Sequence, residues 1–326
     1  MKKRILLLYG GQSSEHEVSL MGYKYVSSLL KNTEYDILPT YISRAGEWYV
    51  GGENGTRAHL CSGGSLYTDY GLIGIDAAIP LLHGECGEDG TVQGALEVAD
   101  IPYVGADATA SAVCIDKFYT KAIAEALGIP TAPSVVFSHT EDTDEAYGIC
   151  LSKLGLPMFI KPRRLGSSVG AYPVYTKSDF QTFLPLAMEK GGGKVIVERL
   201  IKGKRELECA FYQVRGKSLV TPPGEIEIDG FYGYEEKYGG KTRTTPIADV
   251  GKDVAERLTD YSLRLIEALS LRHLARIDFF LGDDGIYFNE INTFPGFTRE
   301  SLYPRMLEAC GIPPRDALIS FIKDLC

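Results

Sequence analysis

The sequence predicts a mixed fold, in which an α/β unit at the N-terminus is followed by α+β units. The first third of the chain alternates strand-like apolar runs with helical segments, which is typical of a parallel sheet covered by helices. Near the C-terminus, two apolar runs flank the turn-forming residues 282–285, which indicates a β-hairpin. At 326 residues the chain is long enough for two or three compact units. Because the first unit is expected to hold a parallel sheet, its ligand loops should follow the C-terminal ends of its strands.

The N-terminal unit begins with a buried strand at Arg4–Tyr9, which runs into a glycine pair. Ser14, followed three residues later by Glu17, is the capping-box pattern that predicts a helix N-terminus. A strand, a glycine turn and a helix N-terminus can bind an anion, but this is not the G-x-G-x-x-G of dinucleotide-binding proteins. Glu15 falls in the predicted first turn, where helix polarity alone favours a carboxylate and where a bound ammonium group would also find one.

The rest of this unit contains a second buried strand with a polar loop behind it. The predicted order is strands at Asp36–Ile42 and Glu47–Val50, a polar glycine-rich excursion over Gly51–Gly71, a strand at Ile75–Leu82, a helix at Thr91–Ala99 and a short strand at Ile101–Val104. The loop 83–90 carries His83 and the pair Glu88 and Asp89. These side chains either line a ligand site or simply cap the helix that follows.

A new unit is predicted from about Gly105 onward. Its elements are a helix at Asp116–Leu127 that carries Lys117 and Lys121, a strand at Val135–Phe137, a helix around 141–154 and a strand at Met158–Lys161. The strand that ends in Lys161 leads into the basic glycine-serine loop 162–170. Its cations, hydroxyls and backbone N–H groups suit phosphate oxygens, although it is not a P-loop. The alternative is an ordinary hairpin loop with solvated arginines.

The C-terminal part combines strands and helices with one long irregular stretch. We expect a helix at Asp179–Lys190, strands at Lys194–Ile201 and 206–220, a helix at Val250–Ser270, and two short helices around Leu307 and Ile319. Residues 221–245 hold three tyrosines and several glycines. Loops of this length in compact domains are usually functional lids or disordered segments, and the aromatic density favours a lid.

The C-terminal hairpin brings four polar side chains together. A three-residue loop of Asp283, Asp284 and Gly285 predicts the pairs Gly282 with Ile286, Phe280 with Phe288, Asp278 with Glu290, and Arg276 with Asn292. Since side chains alternate along a strand, the last four residues form a square on one face. Ile277, Phe279, Leu281, Tyr287 and Ile291 are expected on the other face.

Two interpretations of this square are open. Two carboxylates and an amide oxygen beside a guanidinium suit Mg²⁺ that bridges phosphates. The alternative is a solvated cross-strand salt bridge between Arg276 and the two acids. The polar loop 292–298, which leaves the second strand, favours a functional site because such loops often carry function.

Composition excludes some partners and compartments. A net charge of -9 and a pI near 5.2 argue against nucleic acid, which would require a basic surface. No stretch approaches the length of a membrane span, and the apolar run at 5–9 is too short for a signal peptide. Seven scattered cysteines without a C-x-x-C pair predict reduced thiols in a cytoplasmic protein and argue against a zinc site.

Five stretches in order resemble the D-alanine–D-alanine ligases of the ATP-grasp superfamily. They are GGQSSEHEVSL, HGECGEDGT, FIKPRRLGSSVG, the tyrosine-rich EKY loop and ARID…NEINTFPGFT, and the resemblance covers essentially the whole chain. The resemblance implies a three-domain ATP-grasp fold with a Rossmann-like α/β N-terminal domain. The domains would be residues 1–105, residues 106–200 and residues 201–326, with ATP between the last two and a lid over 221–245.

The resemblance also implies a role for each matching residue. The residues implied to bind ATP are Lys117, Lys161, Gly166, Ser168, Glu198 and Glu206, and those implied to hold two Mg²⁺ (or Mn²⁺) ions are Asp278, Glu290 and Asn292. The implied catalytic residues are Glu15, Ser167, Tyr238, Arg276 and Gly296. The implied D-alanine-binding residues are His83, Lys237, Ser301 and Leu302. Within this scheme Arg276 and the Gly296 amide stabilise an oxyanion. Glu15, linked to Ser167 and Tyr238, binds the first D-alanine's ammonium.

The implied activity is ATP-dependent joining of two D-alanines through an acyl phosphate, for peptidoglycan precursors, by a homodimer. The sequence departs from the family at Gly233, at one extra residue within 203–206 and along the segment after Tyr238. The region of Trp48 also resembles D-alanine–D-serine ligases, whereas Leu302 and Tyr238 favour D-alanine over D-serine or D-lactate. A nucleotide-binding homologue without catalysis remains the alternative of a different class.

Overall fold

The strands form three separate sheets. The computed structural model of the chain describes residues 2–140, 142–227 and 243–326. Within them lie a sheet of seven strands, a sheet of four and a sheet of six. Each sheet uses one continuous segment of the chain, so the three sheets follow one another in sequence order.

The first sheet is parallel in its centre and antiparallel along one side. Its strands are β1 (Arg4–Gly10), β2 (Asp36–Ile42), β3 (Trp48–Val50), β4 (Thr56–Cys61), β5 (Ser65–Thr68), β6 (Gly71–Gly74) and β7 (Ala77–Leu81), in the order β6-β5-β4-β3-β2-β1-β7. β1 is parallel to β2 and β7, while β2 to β6 form an antiparallel meander. Helices α1 (His16–Leu30) and α2 (Thr91–Val98) belong to this part.

Three predictions for this part are wrong. Residues 51–71 contain strands β4 and β5, because short alternating runs pair with each other even in a glycine-rich segment. Residues 101–104 form only a single bridge, from Tyr103 to Ala78. The capping box is absent: helix α1 is capped by Glu15 without a side-chain hydrogen bond, and Ser13 accepts from the Glu15 N–H instead.

The second sheet is antiparallel and carries the glycine-serine loop. Its strands are β8 (Ser134–Ser138), β9 (Met158–Pro162), β10 (Tyr172–Val174) and β11 (Lys194–Arg199), in the order β10-β9-β11-β8. Helices α5 (Thr143–Leu154) and α6 (Lys177–Lys190) pack on it, whereas α3 (Ala108–Cys114) and α4 (Lys117–Ala126), which precede it in the chain, pack against the third sheet. Helix α6 begins with a true capping box between Thr176 and Asp179. Apolar residues that include Ile160 and Phe180 form the core beneath this sheet.

The third sheet carries the hairpin with the polar square. Its strands are β12 (Arg205–Val214), β13 (Lys217–Val220), β14 (Gly224–Glu227), β15 (Arg243–Thr245), β16 (Leu274–Gly282) and β17 (Gly285–Asn292), in the order β15-β14-β12-β16-β17 with β13 on β12. Helices α7 (Lys252–Ala268), α8 (Leu302–Ala309) and α9 (Pro314–Leu325) complete the chain. β14 and β15 pair with each other and flank the residues 228–242, so the predicted lid lies mostly outside the described residues.

The hairpin register is correct at its functional end and wrong at its turn. The loop contains only Asp283 and Asp284, because Gly282 pairs with Gly285. A bulge between Asp278 and Phe279 absorbs the difference of one residue and restores the predicted pairing beyond it. Tyr287 consequently pairs with Phe280 and leaves the core face, where Ile286 and Phe288 are buried instead.

A shared hydrophobic core joins the two ends of the chain. Ile5, Leu7 and Val26 from the first sheet and helix α1 pack in one cluster with Phe294 and Phe297 from the loop after β17. Residues of α8 and α9 belong to the same cluster. This packing brings the loop 292–298 against the loops that follow β1 and β7.

Candidate active site

Two cavities meet at the centre of the molecule, and they divide the candidate residues between them. The larger, of about 900 Å³, is lined by residues that include Glu15, His83, Gly296, Ser301 and Leu302. The smaller is lined by residues that include Lys161, Ser168, Lys204, Glu206 and Asp278. Both cavities share one wall, formed by residues that include Lys117, Gly166, Ser167, Glu208, Arg276 and Glu290. Two ligands could therefore meet at this wall.

The predicted square of Arg276, Asp278, Glu290 and Asn292 is present, and its hydrogen bonds converge on Asp278. The guanidinium donates from Nε and Nη2 to the two oxygens of Asp278 over 2.8 and 2.7 Å. The Asn292 amide donates to Asp278 Oδ2 over 3.0 Å. Burial opposes the charge of Arg276, but Asp278 and Glu208 outweigh it and raise the pKa of Arg276 well above its usual value. The cation is therefore fixed in its charged form and in its orientation.

Glu208 is a further acidic partner of this group that the sequence interpretation missed. Its Oε1 lies 3.2 Å from Arg276 Nε, and its side chain is nearly inaccessible. On β12 it pairs with Asp278 of the neighbouring strand β16. The sequence does carry a signal for this position of Glu208. It stands two residues after Glu206 on a predicted strand, and residues two apart on a strand share a face.

Lys117 reaches the square from helix α4. Its ammonium lies 3.1 Å from Glu290 Oε2 and donates to the Leu165 carbonyl over 2.8 Å. Helix α4 begins there because Asp116 caps it, accepting from the Phe118 N–H. Lys117 thus ties together α4, β17 and the loop 165–168 at the shared wall.

The arginines of the basic loop do not enter either cavity. Arg163 is buried and forms a two-pronged ion pair with Asp116, over 3.0 Å from Nε and 2.8 Å from Nη2. Arg164 is half exposed and lies 3.9 Å from Asp89. The sequence allowed Arg163 either to bind phosphate or to be solvated. Neither is correct, because its guanidinium is bound by the carboxylate of Asp116, the residue that caps α4.

Glu198 lies behind the smaller cavity, where it contacts Lys161. Its two oxygens are taken by Lys121 and Lys161, at 2.6 and 2.8 Å, and its side chain is 4% exposed. Burial opposes ionisation, but the two lysines outweigh it and lower the pKa of Glu198 to about 2. The side chain lines neither cavity, in contrast to Glu206, which receives a 2.5 Å hydrogen bond from Lys204 at the cavity wall.

Glu15 and the glycine-serine loop meet in the larger cavity. Ser167 Oγ donates to Glu15 Oε1 over 2.5 Å. Ser167 and Ser168 both have positive φ angles, 51° and 57°, which turn the loop toward Glu15. A Cβ at Gly166 would lie 3.3 Å from Glu15 Oε2, which is a tight contact. Because glycine has no Cβ, the backbone of the loop can lie close to the Glu15 carboxylate.

Glu88, for which the sequence left a ligand site and a helix cap both open, lines the larger cavity. It accepts from the Gly84 N–H over 3.0 Å and from the Phe294 N–H over 3.2 Å, and so joins the loop 83–90 to the loop 292–298. Burial and the charge of Glu15 raise the pKa of Glu88 to about 8. Buried in the wall of the larger cavity, it is a polar group that holds both loops in place.

The remaining substrate residues surround the same cavity. His83 is buried, and its carbonyl accepts from Ser13 Oγ. The Ser301 hydroxyl accepts from the Thr298 N–H over 3.1 Å, which closes the loop beside Gly296. Leu302 is 6% exposed and belongs to the central core while it lines the cavity. The two other candidates, Lys237 and Tyr238, fall outside the described residues.

The donor set at the square fits a hard divalent cation. Glu290 supplies a carboxylate to the shared wall, while Asp278 lines the smaller cavity and Asn292 the larger one beside it. Carboxylate and amide oxygens are the ligands that Mg²⁺ and Mn²⁺ prefer. Among residues 2–140, 142–227 and 243–326, no group of three or more His, Cys, Asp and Glu side chains could hold a metal by itself. A metal here would therefore require the amide and ligand oxygens beside the two carboxylates.

Comparison with known families identifies matches over nearly the whole chain. The model described as D-ala D-ala ligase N-terminus matches residues 4–106, and the model described as D-ala D-ala ligase C-terminus matches residues 123–323. A D-alanine–D-alanine ligase of Deinococcus radiodurans is 39% identical over 326 aligned positions, which cover 96% of this chain and 95% of that protein. One from Thermoanaerobacter pseudethanolicus is 38% identical, with 95% and 92% covered.

Solved structures give the same result. D-alanyl-alanine synthetase A of Vibrio cholerae superposes with a TM-score of 0.91 at 36% identity, covering 99% of this chain and 98% of that one. The VanG D-Ala:D-Ser ligase of Enterococcus faecalis superposes with a TM-score of 0.90 at 33% identity, with both chains fully covered. The predicted ATP-grasp fold is confirmed by these neighbours. No helix in the described part of the chain is long and apolar enough to span a membrane.

Proposed function

The chain belongs to the D-alanine–D-alanine ligase family, and from this premise we propose that it joins two D-alanine molecules at the expense of ATP. The product would serve as a peptidoglycan precursor. The single observation that carries this proposal is the shared wall, where Lys117, Arg276 and Glu290 border both cavities. A reaction between a nucleotide and an amino acid requires such a meeting point.

The three sheets support a division into an N-terminal domain of residues 1–105, a central domain of residues 106–200 and a C-terminal domain of residues 201–326. Strands β1–β7, β8–β11 and β12–β17 each lie within one of these segments. The smaller cavity lies between elements of the second and third sheets, since Phe159 and Lys161 face Phe280 and Glu206 across it. We assign this cavity to ATP.

The first step transfers the γ-phosphoryl group of ATP to the carboxylate of one D-alanine. Such transfers depend on positioned cations more than on covalent help from the protein. Lys117 and Lys161 supply two ammonium groups, and the backbone of Gly166, Ser167 and Ser168 covers the phosphates. Two Mg²⁺ (or Mn²⁺) ions held by Asp278, Glu290 and Asn292 would supply charge neutralisation between the phosphates. The bond between ADP and the γ-phosphorus breaks, and the products are D-alanyl phosphate and ADP.

The second step is attack on D-alanyl phosphate by the amine of another D-alanine, which forms the C–N bond of the dipeptide, breaks the acyl C–O bond to phosphate, and releases inorganic phosphate and one proton of the amine. Arg276 and the Gly296 N–H would stabilise the tetrahedral oxyanion, since both line the larger cavity. Glu15, oriented by Ser167, would bind the ammonium of the first D-alanine, with His83 nearby. Ser301, Leu302 and the candidate Lys237 would form the pocket of the second D-alanine. The lid of 221–245, with Tyr238, would exclude water that hydrolyses the acyl phosphate.

The resemblance matches Glu198 and Glu206 to acidic residues that contact the adenine amine and the ribose of ATP, and the two differ in their support. Glu206 lines the smaller cavity and is accessible to a ribose, so it keeps the proposed role. Both oxygens of Glu198 are bound by lysines, so direct contact with adenine is disfavoured. Glu198 would instead affect ATP binding by orienting Lys161. We also propose a cytoplasmic homodimer, in keeping with the family and with seven cysteines that are all free thiols.

A second acceptor is the main alternative, because one solved neighbour is a D-Ala:D-Ser ligase. Leu302 supports D-alanine, since an apolar side chain in the cavity wall offers no hydrogen bond to the D-serine hydroxyl. The experiment measures phosphate release from ATP and Mg²⁺ with D-alanine alone, and then with D-serine or D-lactate beside D-alanine. Release stimulated by D-alanine alone supports the proposal. Release that requires D-serine or D-lactate favours the alternative, and no stimulated release would contradict a ligase.

A further inference from the structure

Two buried lysines share one buried carboxylate behind the smaller cavity. Lys121 Nζ lies 2.6 Å from Glu198 Oε1, and Lys161 Nζ lies 2.8 Å from Glu198 Oε2. The side chains of Lys121, Lys161 and Glu198 are 3%, 10% and 4% exposed. Water therefore screens these charges weakly, and their sum acts on anything placed beside them.

Only one of the two lysines faces the cavity. Lys161 lines it and also donates to Asn289 Oδ1 over 3.1 Å. Lys121 lines neither cavity, and its second contact is the Ala132 carbonyl at 3.3 Å. It lies one helical turn beyond Lys117 on α4, so it is placed by the same helix that delivers Lys117 to Glu290.

The charges of this group sum to one positive charge. With Lys121 present, the negative charge of Glu198 is shared between Lys121 and Lys161. Much of the positive charge of Lys161 is then available to attract phosphate oxygens. Without Lys121, Glu198 would pair with Lys161 alone, and the pair would be neutral. Burial lowers the pKa of Lys121 although Glu198 opposes this, so its ammonium depends on that carboxylate.

We infer that Lys121 is a positioning residue for nucleotide binding, which keeps the charge of Lys161 available to the ATP phosphates by sharing Glu198. The inference rests on the proposed assignment of the smaller cavity to ATP. It concerns binding and not turnover, so it can be tested apart from the ligase reaction. It also explains why a carboxylate stands beside a phosphate-binding lysine: Glu198 orients Lys161, and Lys121 compensates for the negative charge.

The test measures the affinities of ATP and of adenosine by calorimetry, in the absence of D-alanine. The variants are Lys121→Met, Glu198→Gln and the double variant, and Lys153→Met serves as the control because it removes an exposed lysine of α5. Methionine matches the length of the lysine stem without its charge. A charge effect acts on ATP, which carries phosphates, and leaves adenosine unaffected.

We expect Lys121→Met to bind ATP about tenfold more weakly than the unchanged protein, with adenosine binding retained. The double variant should recover most of this loss, because the uncharged glutamine that replaces Glu198 no longer neutralises the positive charge of Lys161. Lys153→Met should bind both ligands normally. Unchanged ATP affinity in Lys121→Met, equal losses for ATP and adenosine, or no recovery in the double variant would each overturn the inference.

Should Lys121→Met fail to fold, Glu198→Gln and the double variant decide the question. In Glu198→Gln the buried Lys121 loses the carboxylate that stabilises its ammonium and becomes neutral, so this variant and the double variant should bind ATP equally within about threefold. A larger difference between them would overturn the inference. Phosphate release by the unchanged protein with D-alanine is measured separately. Normal ATP binding without such release would contradict the proposed function and leave the role of Lys121 standing.

Discussion

The Ser167 hydroxyl donates to Glu15 Oε1 across 2.5 Å, and this bond joins two residues that are 152 positions apart. Glu15 precedes helix α1 of the first part of the chain, while Ser167 lies in the loop after β9 of the second. Both residues line the larger cavity. The bond thus holds the glycine-serine loop in place over the shared wall.

Removing this bond should weaken the binding of the first D-alanine. Ser167→Ala and Glu15→Gln should each raise the KM for D-alanine, and the two effects should not add. Hydrogen bonds to charged groups contribute about 1.5–3 kcal/mol, so we expect about 1–2 kcal/mol of coupling in the double-mutant cycle of kcat/KM. Strictly additive losses would mean that the two residues act independently.

Glu290→Gln should abolish turnover and leave the fold intact. The amide can still accept from Lys117, whose contact with Leu165 also remains. The loss of a carboxylate should, however, remove the stabilisation by Mg²⁺, which for the unchanged protein is about 2.7 kcal/mol at a concentration of 100 times Kd. Thermal unfolding with and without Mg²⁺ checks this. Turnover that survives, or a Tm that still rises with Mg²⁺, would contradict the metal assignment.

Arg276→Lys should lower kcat by about 100-fold or more, because an ammonium cannot reproduce the two parallel bonds to Asp278 and the contact with Glu208. Arg205→Lys is the matched control. Arg205 makes the same two-pronged contact with Glu225, over 2.7 and 2.6 Å, but lines neither cavity. Steady-state kinetics should separate the two variants, and equal losses of kcat would show that the effect is not specific to the shared wall.

The stability of the protein should depend on pH through Glu88. Its carboxyl keeps its proton up to a pKa of about 8 in the folded chain, against an ordinary value of 4.5. Between these values the folded state binds one more proton than the unfolded state, so the free energy of unfolding falls as pH rises, by up to about 1.4 kcal/mol per pH unit. Above pH 8 this contribution is constant.

Glu88→Gln should therefore gain stability relative to the unchanged protein as pH rises from 5 to about 8, since an amide does not titrate. Thermal unfolding at several pH values measures this difference. Glu85→Gln is the control, because Glu85 is exposed in the same loop. A difference between Glu88→Gln and the unchanged protein that stays constant with pH would contradict the raised pKa.

The hairpin illustrates how far local sequence rules reach. Alternation along the strands correctly predicted that Arg276, Asp278, Glu290 and Asn292 share a face. The turn chemistry predicted a three-residue loop, and the structure has a two-residue loop with a bulge near Asp278. Packing of Ile286 and Phe288 into the core decided the register at the turn, and turn propensity is weaker than burial.

The ion pairs illustrate what local rules leave open. Lys161 and Arg163 stand at the glycine-serine loop in the sequence and Lys121 stands on helix α4, yet Arg163 binds Asp116 and both lysines bind Glu198. Which cation meets which carboxylate depends on how α4 packs against β9 and β11, and residues on separate elements carry no local signal for that. The contact between Glu88 and the Phe294 N–H could not be predicted for the same reason, because the two residues are 206 positions apart.

The sequence by itself determined the family, the kinds of chemical groups at the site and the strand ends from which they project. These follow from motifs and from periodicities of two and 3.6 residues, which are local properties of the chain. Only the tertiary structure decided that two cavities share the wall of Lys117, Arg276 and Glu290, and that Glu198 lies behind the smaller cavity in contact with Lys161. Distances between residues far apart in sequence arise from the packing of three sheets around common cores, because the free energy of burying apolar surface is a property of the whole fold.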